Sequence, residues 1–445
     1  MADYLAKRGA NVAPSYATTG DLPTSTQSGD LVFVGGQLAI AVDASTFETC
    51  NKTDIDFPIV WSNLSHQAKI KPSDLVMFDL FGRNVAIDGN TLAIGSQDEG
   101  NSGRGEIHVY TRSGTTWSQE AVLVASDTSK YMSKVIIQGD TIVAGAYGNS
   151  VGTNTREGAA YVFTRSGTTW SQQAKLVASD PEAQDMFGYS IPAIDGDTVA
   201  VAAPFENGST TSNSKGAVYV YTRSGTSWSQ QAKITASDAE AGAKFGSAEG
   251  RIGLSADTLV VGAEGNDEGG TDRGAVYVFT RSGTTWSQQA KITAPSPSTD
   301  DGVNFGRSTD ISGDTIVIGA PYDHDAAAGA GLLFVYTRSG TTWSHQATLS
   351  VSDAAIGDQV GHDVVIKGDV IVSGARQEDT TTDNSGALYV FTRSGTTWSQ
   401  QVKKKADTTI GGSYFSQFVA LSGNTVVTSG YYEDNYRGAV YVYTA

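Results

Sequence analysis

The apolar positions of this chain fall into short runs that recur along most of its length. One kind is a five-residue run rich in β-branched side chains, as at residues 91–95 and 315–319. A second kind, at residues 216–221 and 438–443, reads Gly-Ala-Val-Tyr-Val-Tyr and is apolar at both alternating sets of positions. Short β-branched runs predict buried strands, and a run that is apolar on both faces predicts a sheet covered on both sides. The pattern therefore predicts an all-β protein made of stacked sheets.

A polar string sets the period of these runs. Thr-Arg-Ser-Gly-Thr-Thr-Trp, with at most one change, occurs at residues 111–117, 164–170, 222–228, 280–286, 337–343 and 392–398. A repeat of this length suits one four-stranded antiparallel sheet, which is the blade of a β-propeller. Each predicted unit runs from strand A through a tight Gly turn to strand B. A longer loop then leads to strand C, and the polar string forms the turn into strand D.

The number of units follows from their first residues, which are Phe-Gly or a similar pair. The pairs are Phe81-Gly82, Tyr131-Met132, Phe187-Gly188, Phe245-Gly246, Phe305-Gly306, Val360-Gly361 and Phe415-Ser416. The sequence therefore predicts seven blades.

The last predicted unit is incomplete, and a surplus strand precedes the first. The chain ends at Ala445, where six other units continue from strand C into the polar string and strand D. Residues 59–70 read like a strand D and stand before the first unit. We therefore expect a seven-bladed β-propeller of four-stranded antiparallel blades, closed by an N-terminal strand that residues 58–70 supply to the last blade. The predicted domains are an N-terminal arm with a β-hairpin at residues 1–57 and the propeller at residues 58–445.

Tryptophan is confined to one position of the repeat, at the start of strand D. A large apolar side chain there is predicted to fill the space between neighbouring blades rather than to form an aromatic ligand box. The residues are Trp61, Trp117, Trp170, Trp228, Trp286, Trp343 and Trp398.

The composition excludes several functions. The formal net charge of the 445 residues is −17, which argues against binding to nucleic acid or to anionic lipid because both require clustered Lys and Arg. Cys50 is the single cysteine, so no intrachain disulfide and no Cys-based zinc site is expected. Residues 1–20 lack the apolar core of an export signal, and no apolar run is long enough to insert into a membrane.

The repeated pairs carry a family resemblance. Phe-Gly at the unit start, Gly319-Ala320-Pro321 after strand B and the Gly-Ala-Val-Tyr-Val of strand C resemble the FG-GAP repeat of integrin α-subunit propellers. The resemblance implies seven blades and, in many repeats, a calcium loop between strands A and B. In this chain the A-to-B connection is as short as Asp88-Gly89-Asn90, which leaves no room for several oxygen ligands. No family calcium site is therefore assigned, and no cofactor is predicted.

The N-terminal region has a different character. Residues 1–29 are polar and rich in Ser, Thr and Gly, which suggests either an arm that becomes ordered on a partner or an ordinary flexible tail. Two apolar runs, residues 31–34 and 37–42, flank Gly35-Gly36 and predict a β-hairpin. The segment from Met1 to Gly36 resembles the N-terminal segments of virion structural proteins from marine tailed phages. That resemblance implies docking to other virion proteins through residues 1–57.

The two faces of the predicted propeller offer different candidate sites. The face with the A-to-B and C-to-D turns, called here the turn face, repeats one arginine per unit. This row is a hypothesis for a docking face that binds carboxylates or phosphates, whereas local pairing is the alternative. The residues are Arg112, Arg165, Arg223, Arg281, Arg338 and Arg393.

The opposite face, called here the loop face, carries long, dissimilar and acidic B-to-C loops, and recognition is usually found on such loops. Asp323, His324 and Asp325, and the loop at residues 266–272, are candidates for holding a cation, although acidic loops are often only solvated. Tyr431, Tyr432 and Tyr436 are candidates for contacting a sugar or a protein.

No catalytic motif stands out, because the five histidines are scattered and no Gly-x-Ser-x-Gly is present. Two carboxylates meeting across the central channel would leave no sequence signature, so a glycoside-cleaving pair stays open. The combined features favour a non-enzymatic virion structural protein of a tailed phage, as a fibre, a neck or tail appendage or a capsid decoration. Its propeller would be displayed for binding or host attachment to a surface glycan or protein. The alternative is a bacterial cell-surface or secreted adhesin or lectin.

Overall fold

A computed structural model describes the backbone of four N-terminal strands and all atoms of residues 59–97, 103–127, 130–150, 155–207, 214–247, 249–268, 270–295, 301–379, 384–406 and 412–445. The chain divides into two compact units, Met1–Val60 and Trp61–Ala445. Cys50, Asp98, Glu99, most of residues 1–29 and residues 380–383 of one predicted loop lie outside the described part.

The N-terminal unit contains a four-stranded sheet in the order β1-β2-β3-β4. Its strands are β1 (Val12–Tyr16), β2 (Leu31–Val34), β3 (Gln37–Ala41) and β4 (Phe47–Thr49). The predicted hairpin is confirmed, because β2 and β3 pair antiparallel from Leu31 opposite Ile40 to Val34 opposite Gln37. Strand β1 was not predicted. It contains Pro14 and lies at the edge of the sheet, where a residue without an N–H group does not interrupt a ladder.

The second unit is a seven-bladed propeller of four-stranded antiparallel sheets, as predicted. Blade 1 contains β6 (Asn84–Asp88), β7 (Thr91–Ser96), β8 (Glu106–Ser113) and β9 (Thr116–Leu123). Blade 2 contains β10 (Met132–Gln138), β11 (Thr141–Ala146), β12 (Ala159–Ser166) and β13 (Thr169–Leu176). Blade 3 contains β14 (Ala193–Asp195), β15 (Thr198–Ala203), β16 (Ala217–Ser224) and β17 (Ser227–Ile234). Blade 4 contains β18 (Gly253–Ser255), β19 (Thr258–Ala263), β20 (Ala275–Ser282) and β21 (Thr285–Ile292).

The remaining three blades follow the same plan. Blade 5 contains β22 (Ser308–Ser312), β23 (Thr315–Ala320), β24 (Leu332–Ser339) and β25 (Thr342–Leu349). Blade 6 contains β26 (Val360–Lys367), β27 (Val370–Ala375), β28 (Ala387–Ser394) and β29 (Thr397–Lys404). Blade 7 contains β30 (Val419–Ser422), β31 (Thr425–Ser429), β32 (Val440–Thr444) and β5 (Ser65–Ile70). Apart from Val370, every residue of the seven B strands is buried, as their apolar composition predicts.

The predicted closure is confirmed in the last blade. Strand β5 pairs antiparallel with β32, from Ile70 opposite Val440 to Ser65 opposite Thr444, and so completes the ring. Trp61 differs from the prediction, because Leu64 takes the position beside Ser65 that Trp286 takes beside Ser287 in blade 4. Trp61 and the two residues that separate it from Leu64 form a 3₁₀ turn, Trp61–Asn63. Trp61 is only 4% exposed and packs in a core cluster with side chains of blade 6.

The glycines of the repeat lie where the backbones of adjacent blades meet. A Cβ atom at Gly262, near the end of strand B in blade 4, would lie 1.7 Å from the carbonyl oxygen of Gly306 in blade 5. The corresponding distance from Gly319 to the carbonyl oxygen of Gly361 is 2.0 Å. A side chain at these positions would push the blades apart. This close approach explains why the Gly-Ala pair at the end of strand B occurs together with the Phe-Gly pair that starts the next unit.

One unit start lies one residue later than predicted. Met132, not Tyr131, occupies the place of phenylalanine, because its N–H donates to Arg104 O as Phe305 N–H donates to Arg273 O. Tyr131 has φ 60°, like the residues that precede the pair in other units.

Candidate functional site

The arginines of the turn face hold each blade to the one before it. In blade 4, Arg281 Nε donates to Asp257 Oδ1 at 2.7 Å, and Nη1 donates to Thr198 Oγ1 of blade 3 at 2.9 Å. The guanidinium also lies over the ring of Trp286, 5.2 Å from the centroid. All six predicted arginines make these three contacts, with Asn90 in place of aspartate in blade 1.

At the seventh position of this row, both the arginine and the threonine of the preceding blade are replaced. Ala445 stands where the other blades have arginine, and its N–H donates to Asn424 O at 3.0 Å as Arg281 N–H does to Asp257 O. The preceding blade has Val370 where the others have threonine. The arginines of the turn face therefore pair with other side chains of the same face. Their role in docking stays a prediction.

A second set of contacts between blades involves tryptophan. Trp286 Nε1 donates to Gln231 Oε1 of blade 3 at 2.9 Å, and the other tryptophans of the polar string donate in the same way. Trp117 donates to Gln67 of β5 at 2.9 Å, which links blade 1 to the strand that closes blade 7. These contacts agree with a packing role for tryptophan.

The acidic B-to-C loops of the loop face are less exposed than their sequences suggest. One residue, the third after strand B in most units, is buried, and its N–H donates to the carbonyl three residues earlier. Its carbonyl accepts from the Gly that opens strand C. These anchoring residues are Asn149, Glu206, Asn266, Asp323, Glu378 and Glu433.

The cation candidates have structural roles in these loops. Asp323 is an anchoring residue, and its Oδ1 accepts the N–H of Asp325 at 2.9 Å, while His324 and Asp325 are exposed. In the loop at residues 266–272, Asp267 Oδ1 accepts the N–H of Asp272 at 2.8 Å. Within the described residues, no group of three or more His, Cys, Asp or Glu side chains is arranged to hold a metal ion. Cation binding at these loops stays untested.

The predicted tyrosines line a cavity in the described part of the propeller. It has a volume of about 360 Å³ and lies on the loop face at the junction of blades 7 and 1. Its walls are mainly aromatic, and its floor is polar. The lining residues are Phe78, Leu80, Arg83, Gln97, Tyr147, Tyr431, Tyr432 and Tyr436. We call this cavity the aromatic pocket.

Two loops form the rim of the aromatic pocket. Phe78, on the loop from β5 to β6, and Tyr436, on the B-to-C loop of blade 7, are 43% and 44% exposed, and their ring centroids are 5.2 Å apart. The N–H of Leu80 donates to Tyr436 O at 2.9 Å, which joins the loops directly. Tyr432 supports Tyr436 from behind with an edge contact at 5.0 Å.

The backbone that presents Tyr436 is strained. The segment Glu433–Tyr436 forms a single short turn in which Asp434, Asn435 and Tyr436 have φ values of 53°, 59° and 64°. Successive left-handed residues other than glycine are costly and are held only where surrounding contacts impose them. Here Lys69 and Tyr441 bind Glu433, and Lys71 Nζ donates to Asp434 Oδ2 at 2.5 Å.

Arg83 forms the floor of the aromatic pocket. Its Nε donates to Gln97 Oε1 at 3.0 Å, Nη1 donates to the Tyr431 hydroxyl at 3.4 Å, and Nη2 binds Glu249. Burial opposes its charge, but Glu249 outweighs that effect and raises the pKa of Arg83. Burial would likewise raise the pKa of Glu249, but Arg83, Lys134 and Arg307 hold it well below its usual range. The floor is therefore a permanently charged pair.

Lys134 lies behind this pair, toward the propeller axis. It is fully buried, its Nζ lies 4.5 Å from the centroid of the Phe418 ring, and that atom has no hydrogen-bond partner among the described residues. Burial, followed by the charge of Arg83, lowers the pKa of Lys134 to about 7. Near neutral pH the ammonium and amine forms therefore coexist.

The carboxylates of the central channel link blades to one another, adjacent blades through Asp310 and Asp363, and blades 4 and 1 through Glu249. Glu249 is paired with Arg83, while Asp310 Oδ2 accepts the N–H of Ile366 at 2.9 Å and Asp363 Oδ2 accepts the N–H of Val419 at 2.9 Å. A general acid needs a carboxyl that carries a proton near neutral pH, whereas the low pKa of Glu249 keeps it ionised. Burial raises the pKa of Asp310, but both of its oxygens accept backbone N–H groups, from Ile311 at 3.0 Å and from Ile366. No catalytic pair is assigned in the described part of the channel.

Sequence reasoning identified Tyr431, Tyr432 and Tyr436 but missed their neighbours. A comparison of equivalent loops could have indicated Phe78. Residues 75–78 read Leu-Val-Met-Phe, whereas the equivalent residues 354–357, in the loop before blade 6, read Ala-Ala-Ile-Gly. Arg83 and Tyr147 had no such signal, since their convergence depends on the way blades 1, 2 and 7 meet. No helix in the described part of the chain has the length and apolarity needed to cross a membrane.

Comparison with known proteins gives a result for the repeats alone. A family model described as the FG-GAP repeat matches residues 64–110, 117–163, 170–221, 228–279, 286–336, 343–391 and 398–443. No curated protein matches the chain. The matched segments cover most of the sequence and all seven blades. FG-GAP propellers are generally non-catalytic and serve in binding or adhesion. The chain belongs to the FG-GAP repeat family.

Proposed function

We propose that this protein is a non-enzymatic virion structural protein of a tailed phage, in which the propeller is displayed to bind the host surface. It would be a fibre, a neck or tail appendage or a capsid decoration. The observation that carries the binding role is the difference between the faces. On the turn face the same contacts between its own side chains recur in six blades, whereas the loop face has the aromatic pocket at the junction of blades 7 and 1.

The exposure of the pocket rim supports a binding role. Val76, Met77, Phe78 and Tyr436 are between 43% and 49% exposed, and all four lie on the two loops that meet at this junction. Clustered apolar side chains on a soluble protein mark interaction sites, while single exposed ones do not. Backbone strain at Asp434–Tyr436 fits the same interpretation, since strain accumulates at ligand sites.

The virion assignment is supported by the N-terminal unit. The segment from Met1 to Gly36 resembles the N-terminal segments of virion structural proteins from marine tailed phages, and the four-stranded sheet of this region belongs to a compact unit, Met1–Val60. The net charge of −17 argues against a role on packaged nucleic acid. We assign residues 1–57 to contacts with other virion proteins and the loop face to the host.

Mass spectrometry of gradient-purified phage particles tests the location. We expect the protein at a constant copy number per particle, and we expect a chain lacking residues 1–57 to fold but to be absent from particles. Recovery of the protein on bacterial cell surfaces, with none in particles, would contradict the proposal and favour the adhesin alternative. A shortened chain that still enters particles would contradict the docking role of residues 1–57.

A further inference from the structure

The aromatic pocket has the chemistry of a carbohydrate site. Its rim offers two exposed rings, Phe78 and Tyr436, whose centroids are 5.2 Å apart and whose planes differ by 30°. Such a pair forms a continuous apolar surface on which the C–H face of a pyranose ring can lie. Tyrosine suits this role because its ring is apolar while its hydroxyl bonds with polar groups.

The floor of the pocket requires a polar ligand. Arg83 donates three hydrogen bonds to described residues, and a guanidinium carries five N–H donors. An apolar ligand over this floor would remove water from the remaining donors without replacing their acceptors, which is costly. Sugar hydroxyls accept such hydrogen bonds. The combination of an aromatic rim and a polar floor therefore favours a sugar over a lipid or an apolar side chain.

The size and charge of the site narrow the class further. The cavity has a volume of about 360 Å³, which is at the lower end of the range for small-ligand pockets. Glu249 already pairs with Arg83, so an anionic ligand would have to compete with Glu249 for this guanidinium. The net charge of −17 on the whole chain repels acidic polysaccharides.

We infer that the aromatic pocket binds one neutral pyranose residue of a host-surface polysaccharide. The sugar stacks on Phe78 and Tyr436, and its hydroxyls accept hydrogen bonds from Arg83. The inference rests on the proposed function for the source of the polysaccharide, while the sugar class follows from the pocket itself.

The test uses the full-length protein on an array of neutral oligosaccharides of glucose, galactose, mannose and rhamnose, with alginate and short peptides as contrasting probes. We expect at least one neutral oligosaccharide to bind. Calorimetry with that oligosaccharide should then give an affinity about tenfold weaker or more for Phe78→Ala and for Tyr436→Ala. Tyr436→Phe, which keeps the ring, should retain most of the affinity.

Ile356→Ala is the matched control. Ile356 is 76% exposed on the equivalent loop between blades 5 and 6, so its loss removes an exposed apolar side chain from the same face away from the pocket. The control should bind like the unaltered protein. Thermal melting verifies that each variant is folded, which we expect because both rim rings are more than 40% exposed. Tyr436 has φ 64°, which Asn adopts more readily than Ala, so Tyr436→Asn provides a second variant if Tyr436→Ala melts early.

Three outcomes would overturn the inference. They are the absence of any neutral sugar among the bound probes, sugar binding that the rim variants leave unchanged, and binding of alginate or peptides alone. Failure of the proposed function is seen separately, as absence of the protein from particles. A protein that is present in particles and adsorbs to host cells with unchanged strength after Phe78→Ala would retain its function but lose this site assignment.

Discussion

Removal of residues 59–70 should unfold the propeller, because they supply strand D of blade 7. Three of their side chains, Trp61, Leu64 and Ile70, are 4%, 2% and 6% exposed. Burial of an aliphatic side chain contributes about 1.5–3 kcal/mol, and truncation of a buried tryptophan costs about 3–5 kcal/mol. The deletion therefore removes about 6–11 kcal/mol, compared with about 5–15 kcal/mol for the total stability of a typical domain. It also exposes the backbone edge of β32.

Four chains separate the role of β5 from that of the N-terminal unit. They are the intact protein, a chain without residues 1–58, a chain without residues 59–70, and a repaired form of the third. In the repaired chain, a copy of residues 281–292, which contain a C-to-D turn and a strand D, follows Thr444. The copy restores the fourth strand from the other end of the chain. Circular dichroism and tryptophan fluorescence during heating monitor unfolding.

We expect the first two chains to melt with similar cooperative transitions, the third to show no such transition, and the repaired chain to recover one. A chain without residues 59–70 that melts like the intact protein would refute the closure energetics. A repaired chain that stays unfolded would show that β5 contributes through something other than its place in blade 7.

Five single substitutions test other parts of the structure. Ala256→Gly should raise the free energy of unfolding by about 0.5–1 kcal/mol in urea titrations, because Ala256 has φ 49° at a turn position that is Gly313 in blade 5. Gly313→Ala should lower it. Arg281→Lys should lower it by about 1–2 kcal/mol, because an ammonium cannot reproduce both directed hydrogen bonds and the stacking on tryptophan. Lys134→Met should raise it, with the full gain below pH 7 and a decline as the pH rises toward that of free lysine, because the lowered pKa penalises the folded state only while the unfolded lysine is protonated. Asp185→Asn should show the opposite pH dependence, because burial raises the pKa of Asp185 from 3.8 to about 7 and the unaltered protein therefore loses stability as the pH rises between these two values. The gain in melting temperature from Asp185→Asn should thus be larger at pH 8 than near pH 4.

The fold was predictable because the chain contains seven copies of one pattern of strands and turns. A local error in one copy, such as the start at Tyr131 instead of Met132, did not change the number of blades. Closure was predictable from the number of D strands, since the last unit lacked a strand D and a surplus strand D preceded the first unit. The displacement of Trp61 was not predictable from the sequence. With a three-residue insertion, either Trp61 or Leu64 can occupy the position that tryptophan has in other units, and packing against blade 6 determines which of them does.

The site was less predictable for a different physical reason. Tyr431, Tyr432 and Tyr436 are adjacent in sequence, so their clustering was visible before their environment was known. Phe78 and Tyr436 are far apart in the chain and meet because closure brings blade 7 against blade 1. Glu378 and Glu433 read as exposed acidic residues, but lysines of strand D bind both and draw them into the fold. Such pairing depends on register, which composition does not reveal.

The D-to-A loop at the junction of blades 7 and 1 combines a repeated anchor with side chains of its own. In blades 3 and 6, the D-to-A loop carries an aspartate two residues before the unit start, and these residues, Asp185 and Asp358, accept N–H groups within their loops. At the junction of blades 7 and 1, the loop from β5 keeps that aspartate as Asp79, which accepts the N–H of Val76 at 2.6 Å. The loop therefore has the same anchor but carries Val76, Met77 and Phe78 outward. An unchanged anchor with changed exposed side chains is the expected result when a repeated scaffold supports a function at one of its copies.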